Sequence, residues 1–248
     1  MRARRVLLVA VVSVAATSAV LQEASRTYVL IHGAWGGGWD WRGVDALLTR
    51  RGHRAVRVTL TGLGERVHLA SPSVGLSTHI DDVVNTILWE DLDDVILVGH
   101  SYGGMVVTGA ADRIPDRIRH LVYVDAFLPN SGESLLGMFD SSSAASFRRT
   151  VRDGMSVPRW VTDTLAIPRD VPHSVRTLTD TLRLTSQGMR RVPGTYILTV
   201  ERNANSDAFQ QFADRAAARG WPVFTIESGH NAQRTARGPL VELLDAVP

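Results

Sequence analysis

Val95-Ile96-Leu97-Val98-Gly99-His100-Ser101-Tyr102-Gly103-Gly104-Met105-Val106-Val107 reads as strand, sharp turn, helix. A continuous apolar run ends in G-x-S-x-G, and small and apolar residues follow. Glycines at 99 and 103 leave room for a strained turn that lifts a serine above the end of a parallel strand, and Gly104 lets the next helix pack close to the sheet. Ser101 is therefore the candidate nucleophile. G-x-S-x-G alone is a weak signal. The strand before it and the helical pattern after it supply the context that gives it meaning.

The 248 residues are enough to bury a full core, and 44% hydrophobic with 21% charged content is that of an ordinary globular protein. All 27 basic residues are arginine, scattered along the chain, and the formal charge is only +2, so there is no nucleic-acid footprint. The absence of cysteine excludes disulfides, a thiol nucleophile and cysteine-ligated metal or iron-sulfur sites. No metal and no cofactor is expected. At the start, Arg2, Arg4 and Arg5 precede an apolar run from Val6 to about Val20, with small residues at Ala16, Ser18 and Ala19. Residues 1–25 thus have the layout of a secretory signal, and the run is shorter than the ~20 residues of a membrane span. The competing reading is a helix or strand of the domain itself. The expectation is a mature enzyme beginning near residue 20 to 26, secreted or periplasmic.

Outward from the central stretch, Thr27-Tyr-Val-Leu-Ile31 is a buried strand that runs into His32-Gly-Ala-Trp-Gly-Gly-Gly-Trp39. A phosphate loop would need G-x-x-x-x-G-K-[ST], or G-x-G-x-x-G opening a helix with an acidic partner, and neither is present. A loop that aims backbone N–H groups at a developing oxyanion fits better. Asp40 to Arg51 has helical spacing, with Trp39 and Trp41 expected in its packing. Arg54 to Leu60 alternates as a strand, and Ser77 or Thr78 can cap a helix carrying Ile80, Val83, Val84, Ile87 and Leu88. Ile118 to Val124 is another strand, ending at Asp125-Ala-Phe-Leu-Pro129. From about 130 to 192 apolar positions thin out, serines cluster and prolines fall among short helical pieces. This reads as a lid insertion with Met138, Phe139, Phe147, Met155 and Trp160 as its apolar candidates. Thr195 to Val200, a helix from about Ser206 to Arg219, Pro222 to Ile226, the loop Glu227-Ser-Gly-His-Asn231 and a last helix near Gly238 to Ala246 complete the pattern. Strands alternating with helices imply a mostly parallel sheet covered on both faces.

Ser101, then an acid, then His230 is a serine-hydrolase order. The segments Leu30-Ile-His-Gly-Ala-Trp35, Thr59-Leu-Thr-Gly-Leu-Gly-Glu-Arg66, Gly99-His-Ser-Tyr-Gly103, Tyr123-Val-Asp-Ala-Phe-Leu-Pro129 and Ser228-Gly-His230 resemble the α/β-hydrolase superfamily, in the branch of small carboxylesterases related to plant methylesterases and hydroxynitrile lyases. The resemblance covers nearly everything after residue 26. It implies an α/β-hydrolase fold with a small helical lid, a small-molecule ester or lactone as substrate, and oxyanion donors at the N–H groups of Ala34 and Tyr102. Trp35, Met138, Phe139 and Trp160 are expected at the substrate pocket. His32 and His100 are expected to be structural neighbours of the site.

Two departures from the family pattern matter. Hydroxynitrile lyases carry threonine where this chain has Gly33 and lysine where it has Asn231, so cyanohydrin cleavage is not expected; a cofactor-free lyase or dioxygenase step and a slow-turnover receptor remain alternatives. The superfamily acid normally follows the strand that is here Thr195 to Val200, but counting places Arg202 there. That leaves Asp125 as the expected triad acid, with a spacing to Pro129 resembling haloalkane dehalogenases that take theirs from this strand. Glu201 is the alternative, although adjacent side chains on extended chain point to opposite faces. Asp207 is expected to sit at a helix start.

Overall fold

The computed structural model describes residues 25–185, 188–201 and 208–248. The signal-like segment up to residue 24, Arg202 and Asp207 lie outside the described residues. In chain order the elements are β1 (Thr27–Ile31), α1 (Arg42–Arg50), β2 (Arg54–Val58), α2 (Leu76–Trp89), β3 (Val95–His100), α3 (Gly103–Arg113) and β4 (Ile118–Val124). Then come α4 (Ser141–Arg148), β5 (Val151–Arg152), β6 (Met155–Ser156), β7 (His173–Ser174) and α5 (Arg176–Thr179). The chain closes with β8 (Gly194–Val200), α6 (Gln210–Ala218), β9 (Val223–Glu227), α7 (Ala232–Thr235) and α8 (Arg237–Asp245).

Six strands form one sheet in the order β2-β1-β3-β4-β8-β9, with every pairing parallel, where the sequence implied only a mostly parallel sheet. Successive residues of each strand feed opposite faces. Val29, Ile31, Leu97, Leu121, Tyr123, Tyr196 and Leu198 join the core under α2, α3 and α6. Tyr28, Leu30, Ile96, Val98, Val122, Val124 and Ile197 join the core under α1 and α8, which includes Trp41. Burial on both faces explains why β3 from Val95 to Val98 and β4 from Leu121 to Val124 read as unbroken apolar runs. It also aligns the C-terminal ends of β1, β3, β4 and β8 along one edge, where ligands bind in open parallel sheets.

Two local expectations change. α2 begins at Leu76 with Gly75 before it, and neither Ser77 nor Thr78 caps it. Its first N–H, that of Leu76, donates instead to Asp180 Oδ2 at 3.0 Å. A carboxylate brought from far along the chain satisfies the helix start and leaves a local cap unnecessary. The segment between β4 and β8 is not purely helical: besides α4, α5 and single 3-10 turns it holds the antiparallel sheet β5-β6-β7. The reason is written at Asp153-Gly154, whose φ values of 49° and 75° make the two-residue turn that joins Arg152 to Met155. Asp-Gly between short extended runs is a hairpin signal.

Candidate active site

Ser101 occupies the first position after β3, with φ 53°, and its N–H donates to the Val124 carbonyl. A left-handed conformation costs a non-glycine residue about 1–2 kcal/mol, and it is held here by the parallel pairing of β3 with β4 and by the immediate start of α3. The backbone approach is closest at Gly104, where a Cβ would run into the Phe127 carbonyl. Ser101 thus stands at the positive end of a helix docked tightly on the neighbouring strand end.

The end of β4 supplies Asp125, also left-handed at φ 45°. Its carboxylate is almost wholly buried, with Oδ1 accepting the Thr199 N–H at 3.1 Å and Oδ2 lying 2.6 Å from His230 Nδ1. His230 Nε2 is 3.0 Å from Ser101 Oγ. With the Nδ1 proton donated to Asp125, Nε2 is free to accept the serine proton. The imidazole is stacked on Phe209 (centroids 4.8 Å apart, 16° between planes) and tilted against His100 at 4.7 Å. His100 Nε2 donates to the His230 carbonyl, and burial holds its pKa well below the ordinary histidine value, so it braces the loop as a neutral ring. His32 does the same for the loop after β1: Nδ1 donates to the Gly33 carbonyl, Nε2 accepts from Leu60, and burial pushes its pKa down to about 4. Both histidines are structural neighbours, as the sequence suggested.

The N–H groups of Ala34 and Tyr102 have no protein acceptor among the described residues, and both residues line the same cavity as Ser101. Each is anchored by a buried histidine. Trp35, left-handed at φ 62°, directs its N–H to His173 Nδ1 at 3.3 Å, while His173 Nε2 donates to Thr177 Oγ1 at 2.8 Å. Tyr102 OH donates to His79 Nδ1 at 2.8 Å, and His79 Nε2 donates to the Thr61 carbonyl. Burial keeps both rings neutral, His79 down to about 4 and His173 well below its ordinary value. A proton on His173 Nδ1 would face the Trp35 N–H donor to donor, so the loop geometry depends on that neutrality.

Two cavities meet at Ser101, Ala34, Trp35 and His230. One, of about 500 Å³, is walled by Phe127, Leu135, Met138, Phe139, Phe147, Phe209 and Phe212. The other, of about 370 Å³, carries Asp40, Asp170, Arg234, Asn231 and Trp160. Among the sequence-derived pocket residues, Met138, Phe139 and Phe147 enter the apolar cavity, Trp160 the polar one, and Trp35 stands between them. Met155 reaches neither: β6 turns the neighbouring Ser156 side chain toward Trp35, whose Nε1 donates to Ser156 Oγ at 3.3 Å, and alternation sends Met155 the other way. Glu201 is exposed beyond β8 and lies against Gly229, while the Nδ1 it was to contact is taken by Asp125. Sequence reading overlooked Phe209 and Phe212, although two phenylalanines three apart at a helix start are a visible apolar face. Asp40, Asp170 and Arg234 carry no sequence signal, being ordinary polar residues that only the fold assembles.

A serine, an imidazole and a buried carboxylate in hydrogen-bonded series, set at the ends of parallel strands beside free N–H groups, define a hydrolase-type site. Residues 28–243 match the alpha/beta hydrolase family, and the chain belongs to it. It is 38% identical over 240 residues to a carbendazim hydrolyzing esterase of Nocardioides sp. (strain SG-4G), covering 89% of this chain and 98% of that protein. It is 31% identical over 115 residues to methylesterase 2 of Arabidopsis thaliana, a match spanning 46% of this chain and 44% of that one. In fold it matches an extracellular alpha/beta-hydrolase from a Paenibacillus species with a TM-score of 0.76 at 24% identity, covering 88% of this chain and 97% of the other. These relatives mark the chain as an esterase-like member of the family.

Proposed function

We propose that the protein is a serine esterase that cleaves a small to medium apolar carboxylic ester or lactone through an acyl-serine intermediate. The observation that carries this is the series Ser101 Oγ, His230 Nε2, His230 Nδ1, Asp125 Oδ2, with steps of 3.0 Å and 2.6 Å. In the forward step Ser101 Oγ adds to the ester carbonyl carbon as its proton passes to His230 Nε2. The negative charge gathers on the former carbonyl oxygen, facing the Ala34 and Tyr102 N–H groups. Such donors are worth about 3 kcal/mol each. Collapse breaks the bond to the leaving oxygen, which takes the proton from Nε2 and departs as the alcohol. Water then repeats the sequence against the acyl-serine, its proton going to His230, and releases the acid.

The aromatic cavity supports an apolar acyl group, and Met138, Phe139 and Phe147 on its wall support a lid role for residues 130–192. Gly33 weighs against a lyase of the hydroxynitrile type, since a Cβ there would lie 2.9 Å from His100 Nδ1 and 3.1 Å from Ser101 Cβ. Export rests on the basic-then-apolar start, and an extracellular structural neighbour is in keeping with it. Among the described residues no helix is long and apolar enough to cross a membrane. The test is a burst of p-nitrophenol from a short-chain p-nitrophenyl ester. A burst lost in Ser101→Ala supports the esterase; stoichiometric binding without turnover would replace it with the receptor reading.

A further inference from the structure

The second cavity at Ser101 is the more charged of the two, since the largely apolar wall of the first is broken by Asp140, Ser143 and Gln211. Arg234 Nη2 lies 2.6 Å from Asp40 Oδ1 and 3.3 Å from Asp170 Oδ1, and Trp160 Nε1 donates to Asp170 Oδ2 at 2.7 Å. The three charged groups come from three places: the turn after the oxyanion loop, the segment between β4 and β8, and α7 just past His230. Both carboxylates are shielded from solvent, with side-chain exposures of 3% for Asp40 and 13% for Asp170. Two carboxylates against one guanidinium leave the chamber one negative charge in excess. Burial raises the Asp40 pKa to about 6, so above that value the excess is present.

The position of this chamber also decides which end of a substrate it meets. Ser101, His230 and Ala34 line both cavities, but His100, Asn231 and Arg234, the residues around the histidine loop, line only this one, and Tyr102 only the aromatic one. The departing oxygen must receive its proton from His230 Nε2, so it belongs on the histidine side of the serine. The acyl group is then left to the aromatic cavity on the Tyr102 side.

We infer that the chamber of Asp40, Asp170 and Arg234 is the leaving-group subsite, and that it takes a polar, neutral or cationic alcohol and rejects an anionic one. This rests on the serine esterase reading. It makes the substrate an ester of two unlike ends, with an apolar acyl group and a polar or cationic alcohol. A hydroxyl or ammonium on that alcohol meets carboxylate acceptors and the edge of Trp160, while a sulfonate or carboxylate meets the excess negative charge in a partly dehydrated space.

The test uses three butyrate esters of one acyl group, with choline, ethylene glycol and 3-hydroxypropanesulfonate as leaving alcohols, at a pH above the Asp40 titration. The expected kcat/KM for the choline and glycol esters exceeds that for the sulfonate ester by about tenfold or more. Asp170→Asn removes one negative charge and should bring the ratio of sulfonate to glycol ester up several-fold; Arg234→Gln should push it down. A purely structural role would lower all three esters together and leave the ratios unmoved. Equal rates on the three esters in the wild type, or ratios unchanged in both variants, overturn the assignment. If no ester is turned over at all, the esterase reading fails, and the subsite is then judged by calorimetric binding of the intact esters to Ser101→Ala. Weaker binding of the sulfonate ester sustains it, and equal binding overturns it.

Discussion

The strand ends and the segment between β4 and β8 build one site by different physics. At the strand ends Ser101 and Asp125 are single residues in left-handed conformations, clamped by the ladder: Ser101 N–H to Val124, Phe127 N–H to the Ser101 carbonyl, Asp125 N–H to Ile197. Their geometry is imposed by a buried parallel sheet, and displacing one side chain means breaking backbone pairing. The intervening segment instead reaches the site through side chains, with Phe139 and Phe147 walling a cavity, Asp170 meeting Arg234 and His173 holding Trp35. Such contacts can be traded one at a time. The comparison teaches that the proposed chemistry is held by the sheet, while the cavity walls that would select a substrate are shared between the insertion and residues such as Asp40, Phe212 and Arg234.

The largest expected effect tests the sheet side. Ser101→Ala and His230→Ala should each lower kcat on a p-nitrophenyl ester by about 10⁶-fold, and the double variant should be no worse than either, because the pair acts as one unit. Losses that multiply would separate the two groups and break the relay.

A second test reads both regions through pH. His32, His79, His100, His120 and His173 are all held below the ordinary histidine value by burial. Between about pH 4 and 6.5 the unfolded chain binds protons that these folded rings refuse, so stability rises with pH across that window and is lost as pH falls. Asp40 opposes them, since its raised pKa lets the folded state keep a proton to about pH 6. Five rings against one carboxylate leave a net proton uptake on unfolding across that window, so the histidines set the sign of the slope. The melting temperature should climb steeply to about pH 6.5 and then level. A flat profile would mean that the histidines are not buried neutral.

A smaller effect crosses the boundary between the regions. His173→Leu removes the acceptor for the Trp35 N–H and should lower kcat by roughly 10- to 100-fold with KM little changed, because a loosened oxyanion loop is felt in the transition state. His173→Asn, whose Oδ1 stands in for Nδ1, should recover most of it. Equal losses in both would mean that His173 only fills space.

Legibility in the sequence follows the same division. β1, β3, β4 and β8 were readable because strands buried on both faces are largely apolar, and Ser101 stood out because Gly99 and Gly103 bracket it, His230 because Gly229 precedes it near the end of the chain. Asp125 was a candidate for the proposed acid by its place at a strand end. The intervening segment was opaque: its elements are two to eight residues long, too short for periodicity to show, and its contacts run to residues a hundred positions away, as Ser174 Oγ does to the Val74 carbonyl. Even so Asp153-Gly154 announced a hairpin that compositional reading passed over. The cluster of Asp40, Asp170 and Arg234 left no local trace, since nothing in a single charged residue tells which distant partner will neutralise it.

The proposed relay turns most on Asp125, the proposed acid, which follows β4 where the family's usual position follows β8. Turnover of Asp125→Asn and of Glu201→Gln should be measured side by side on one ester. An asparagine at 125 leaves the site's shape but presents Nδ1 with the wrong partner, so kcat should fall roughly 10⁴-fold, while Glu201→Gln should stay within about twofold of the parent. A large loss in Glu201→Gln with Asp125→Asn near full activity would contradict the account and move the acid to the end of β8.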